Sequence, residues 1–194
     1  MKTLISLFVI FSLSCFAQDF EINKITLSTG MTSLTKGLAL SVSFNQGENY
    51  LITEYNAELG QVLYLVKLSD NFSFGPTAGF LKNVLWFAPI ITASFFNDHV
   101  RTLHWAGWSF GNCESAENEI HARYCFSFQS ISILVENFEA SYALQHYYYF
   151  QPEHIFSLKK EFNLNDKFMV FFSGGYMLMA EDPLWAIGGI YKFK

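Results

Sequence analysis

The chain has 194 residues, 51% of them apolar, and its 22 Phe, 10 Tyr and 4 Trp make it 19% aromatic while only 15% is charged. That composition excludes a disordered chain, which holds too few apolar residues to build a core. Seventeen acidic against twelve basic residues, a net charge of −5, exclude non-specific nucleic-acid binding, and the length suits one domain.

In chain order the first element is a secretory signal peptide over residues 1–17. Lys2 gives a positive start, Leu4 to Leu13 an apolar run, and Cys15-Phe16-Ala17 a small-x-small cleavage site before Gln18. The apolar run is too short for a permanent transmembrane helix, which needs about 20 residues. A rival reading makes Cys15, in Ser12-Leu13-Ser14-Cys15, a lipid-modified N-terminus, although lipobox-type signals carry the aliphatic residue one position earlier. Residues 18–194 are then a single domain, with Cys113 and Cys125 as its remaining cysteines. The Phe-Ala-Gln boundary resembles bacterial export signals, which points to a Gram-negative envelope.

The most apolar later stretch, Val84 to Phe96, has 13 residues with Pro89 in its middle. No helix spans a bilayer with that, so a membrane reading requires a closed β-barrel, in which every backbone group is paired. The hydropathy pattern has period 2. Phe72, Phe74, Pro76, Ala78 and Phe80 alternate with Ser73, Gly75, Thr77 and Gly79, and Leu38, Leu40, Val42 and Phe44 with Gly37, Ala39, Ser41 and Ser43. The alternation recurs in Tyr124, Phe126 and Phe128 against Arg123 and Ser127, in Phe138, Ala140, Tyr142 and Leu144 against Glu139, Ser141 and Gln145, and in Phe168, Val170 and Phe172 against Lys167 and Ser173. Breaks rich in Asn, Asp, Gly and Pro separate the segments. Eleven strands are clear, and the weak stretch Ile22 to Met31 makes twelve, an even number as bacterial single-chain barrels require. Fusion of neighbouring segments would give eight or ten.

Aromatic residues cluster at the breaks. If the chain ends on the periplasmic side, Trp105, Trp108, Tyr148 and Trp185 stand beside outer breaks, and Phe72, Phe138, Phe162, Phe168 and Phe193 beside inner ones. Two such rims suit the two interfaces of a membrane. With the export signal, strands such as FSFGPTAGF and the terminal AIGGIYKFK, residues 18–194 resemble the small bacterial outer-membrane β-barrel proteins, a broad class that includes the OmpA/OmpX-like barrels. Such barrels usually end in an aromatic residue, whereas this chain ends in Phe193-Lys194. The resemblance implies an antiparallel up-and-down barrel integral to the outer membrane. It also implies contact with membrane lipid and lipopolysaccharide, and assembly by the barrel-assembly machinery.

Parity turns Lys67, Arg123, Gln129, Glu139, Gln145, Lys159 and Glu161 inward as a polar lumen network, in which Lys159, Glu161 and Glu139 share a depth. This is either an ion-paired plug or a polar path for small solutes, so a porin-like, structural or adhesive barrel is expected. An outer-membrane lipid-modifying enzyme and a secreted soluble barrel holding an apolar ligand are the alternatives. Against an enzyme, His99, His104, His121, His146 and His154 are scattered, with no HExxH, no metal-spaced pair and no GxSxG turn. No cofactor or metal is called for. Cys113 in the outer loop and Cys125 on the next strand are candidates for a disulfide in an oxidising compartment.

Overall fold

The computed structural model describes residues 20–32, 36–56, 59–81, 84–115, 118–121, 124–147 and 151–193. The signal peptide, Cys15, Arg123 and Tyr148 lie outside the described residues. The chain runs through β1 (Glu21–Met31), β2 (Lys36–Gln46), β3 (Asn49–Asn56), β4 (Leu59–Ser69), β5 (Phe72–Leu81), β6 (Val84–Phe95) and β7 (Val100–Ser115). It continues through β8 (Asn118–His121), β9 (Tyr124–Val135), β10 (Phe138–Tyr147), β11 (Glu153–Asn163), β12 (Phe168–Met177) and β13 (Asp182–Lys192).

Every pairing is antiparallel. β1 pairs with both β2 and β13, β6 pairs with β7, and β7 with β9, so the sheet closes on itself. β8 pairs only with the far end of β7, extending that hairpin beyond the ring. The ring therefore holds twelve strands. The stretch from Ile22 to Met31, whose alternation was the weakest, is β1 and closes the barrel against β13.

Closure follows from the alternation. Leu27, Leu158 and Trp185 on the outer face are 50%, 53% and 52% exposed, whereas their chain neighbours are more covered. Eleven residues at about 3.3 Å rise, tilted about 40°, give roughly 28 Å of height, enough for an apolar band about 25 Å tall.

One end carries the start of β1, the end of β13 and turns of two to four residues. Gly47 (φ 60°) makes the tight β2–β3 turn, and Asn165 accepts the backbone N–H groups of Lys167 and Phe168 (both 2.9 Å) in the β11–β12 turn. The other end carries the β7–β8 extension and the β12–β13 turn, where Glu153 accepts the N–H groups of Met179 and Ala180 (both 2.9 Å). At the terminal end stand Phe72, Phe138, Phe162 and Phe168, with Phe193 edge-on to Tyr191 at 4.8 Å.

Candidate functional site

The interior is divided between two unlike walls. The first is built by β5, β6, β7 and β9. On β6 the inward residues are Trp86, Ala88 and Ile90, and on β7 Arg101, Leu103, Trp105 and Ser109, because Trp86 lies opposite Ser109 and Ile90 opposite Trp105. Trp105 lies edge-on to Trp86 (4.8 Å), Phe126 (5.7 Å) and Phe128 (5.8 Å), a geometry aromatic quadrupoles favour. Around these rings Ala88 is 0%, Ile90 1% and Thr77 1% exposed. The β6–β7 ladder lapses at Ala88 and Pro89, where proline has no N–H to give. The backbones close up there: a Cβ on Gly107 would sit 2.0 Å from the Phe87 carbonyl oxygen.

The second wall, β10 to β13 with β1, carries charge. Lys159 pairs with Glu161 (2.5 Å) and its Nζ lies 5.0 Å from the centre of the Phe171 ring. Glu139 stands opposite Lys159 in the ladder and accepts from Ser141 (3.2 Å), whose hydroxyl also meets Ser132 (2.7 Å). Lys24 of β1 lies directly opposite Lys192 of β13. Within electrostatic range of Lys24 are Lys159, Glu161, Lys192 and, from across the lumen, Arg101. Around Lys24, four basic groups thus stand against two acidic ones.

Elsewhere, Gln61 donates to Glu54 between β4 and β3. Lys67 lies at the terminal rim, bonded to Asp70 (2.8 Å) and Glu48 (3.5 Å) of the adjoining turns. The Lys67 ammonium holds the exposed Asp70 carboxyl below its ordinary range, by hydrogen bond and by charge. Gln145 is on the inner face, opposite Glu153 and Phe128.

Two assignments need correction. Gln129 is not a lumen residue: it stands opposite His104 and faces outward, exposed. Trp105 is not a rim residue, because it packs inside against Trp86. The first error comes from taking Phe126 and Phe128 as the greasy side of β9, when these rings complete the interior aromatic wall, and the second from reading nearness to an outer break as a rim position; Trp108 and Trp185 do face outward, at 54% and 52% exposed. In the ladders Cys125 is opposite Trp108 and Cys113 opposite Ile120.

Parity arguments missed Lys24, Arg101 and Lys192. The signal was present for Lys24, since Lys24, Thr26 and Ser28 alternate with Ile25 and Leu27. His104 and Ser109 fall on opposite faces of β7, which separates a base from a nucleophile. Among the described residues no three metal-ligating side chains cluster.

No protein-family model matches the chain, and neither does any curated protein. Solved structures do match. A KdgM porin covers 90% of this chain with 100% of its own length at TM-score 0.54 and 9% identity. A KdgM porin in complex with disordered oligogalacturonate does so at 0.57 and 9%, and a NanC porin covers 89% at 0.58 and 10%. The barrel is porin-like. At these identities the porin likeness is one of fold, and the solute must be argued from this chain's own lumen.

Proposed function

We propose that the protein is an integral outer-membrane channel that favours small anionic solutes, with a lumen partly filled by its aromatic wall and its Lys159–Glu161 pair. The observation that carries this reading is the local excess of base over acid around Lys24: Lys24, Arg101, Lys159 and Lys192 against Glu139 and Glu161. The chain as a whole is acidic, so the excess is a matter of placement. Charged rings of one sign select the opposite ion.

Membrane placement is supported by the outward apolar band, which would be an extreme exposed patch on a soluble protein. Lipopolysaccharide and phospholipid are then its surroundings, with assembly by the barrel-assembly machinery. Eight-stranded barrels of the OmpA/OmpX type have interiors just wide enough for side chains to fill; twelve strands favour the channel over the full plug. Because oligogalacturonate, bound by one of the similar porins, is a polyanion, acidic sugar oligomers are the first solutes to test.

The test is planar-bilayer recording in a dilute KCl gradient. The native protein should give discrete current steps and a reversal potential of anion-selective sign. Replacing Lys24, Arg101 and Lys192 together by Gln leaves one base against two acids and should reverse that sign. Absence of steps, or an unchanged reversal potential in the triple variant, sinks the reading.

A further inference from the structure

The outer face of β9 to β12 is not uniformly covered. Ala140, Leu158 and Gly174 lie in one ladder row, with Tyr142, Phe156 and Tyr176 in the next. The large residues stand up from the surface while Ala140 and Gly174 do not. A Cβ at Gly174 would meet nothing within 4 Å. The result is an apolar groove of about 600 Å³ on the lipid side, within the roughly 300–1,000 Å³ that holds small ligands. At one end the Tyr142 hydroxyl is bonded to His154 (2.8 Å).

The other end is different. Two residues beyond Leu158, about 6.6 Å along β11, Lys160 also faces outward, between Phe138 of β10 and Phe172 of β12. This is the terminal end of the barrel, opposite the long β7–β8 extension; barrels of this class carry their longer loops outside, which makes this end periplasmic. A lysine among rim aromatics carries its stem along apolar surface and its ammonium at headgroup level.

We propose that this groove is a binding site for one anionic glycerophospholipid of the inner leaflet, an acyl chain lying over Gly174 and the phosphate meeting Lys160. The inference rests on membrane placement, not on channel activity. Charge and position choose the occupant. A second copy docked about a two-fold axis would press Lys160 into a protein interface with no acidic group supplied by its own outward rows, a costly burial. A lipid brings the anion and the chain in one molecule at the matching depth.

The experiment is native mass spectrometry of the full chain released from detergent micelles after titration with phosphatidylglycerol. The native protein should retain one lipid. Gly174→Phe, which fills open space, should keep the heat-dependent gel mobility and current steps of the native barrel while losing at least about fivefold in lipid retention. Lys160→Gln should lose the preference for phosphatidylglycerol over phosphatidylethanolamine. Leu38→Ala, on β2 and four strands around the ring from β11, should retain lipid as the native protein does. Unchanged retention in Gly174→Phe, or a dimer that this substitution abolishes, overturns the proposal. A chain that stays soluble without detergent overturns the membrane reading first, so the two failures are distinguishable.

Discussion

The two walls of the lumen are held by opposite means. Between β5 and β9 the wall is dry and close-packed: four aromatic rings edge-on, Ala88 and Ile90 without solvent contact, and backbones approaching at Gly107. From β10 through β13 to β1 it is made of serines and charged pairs, with Phe171 lying under a lysine. Packing of the first kind tolerates almost no added volume, whereas the second kind can be re-charged without moving the backbone. One wall therefore sets how wide the path is, and the other sets which ions prefer it.

The largest effect that separates the walls is steric. Gly107→Val should abolish the folded, heat-modifiable species on a gel, because the new Cβ would meet the Phe87 carbonyl at 2.0 Å and Ala88 Cβ at 2.5 Å. Gly174→Val, in open space, should fold as the native chain does, and equal tolerance of the two substitutions would break the contrast. Next comes width. Trp105→Ala removes a ring from contact with three others and should raise single-channel conductance roughly 1.5- to 2-fold while leaving the reversal potential alone. A changed reversal potential would mean the walls do not divide the work. On the charged side, selectivity should fade in 1 M salt, where the screening length falls to about 3 Å; selectivity independent of salt would point to size rather than charge.

The smallest effect lies at the rim. Asp70 has its pKa lowered by Lys67, so this contact contributes stability above the ordinary value of 3.8 and loses it as pH falls through the lower folded value. Asp70→Asn should lower the unfolding temperature at pH 7 by less than about 2 °C, since the pair is exposed. The difference from the native chain should vanish in strong acid, and a larger gap there would contradict the assignment.

Much of the barrel was legible because its strands are two-faced. Ser73 beside Phe72 and Phe74, or Glu139 beside Phe138 and Ala140, declares both strand and orientation. Where both faces are apolar the period carries no sign. In VLWFAPIITASFF nothing distinguishes Trp86 from Phe87, yet one is 8% and the other 48% exposed. The same ambiguity hid Phe126 and Phe128 in the interior and pushed Gln129 to the wrong side.

By itself, then, the sequence determined a chain of alternating strands and tight turns whose apolar face is too large for water, because alternation and turn chemistry are local properties. Only the closed sheet decided that Lys24 would lie beside Lys192 and within electrostatic range of Arg101 across the lumen, because these groups come from strands far apart in sequence that ring closure between β1 and β13 brings together. The aromatic rings of one wall stand on neighbouring strands, and the β6–β7 and β7–β9 registers decided that they would meet inside.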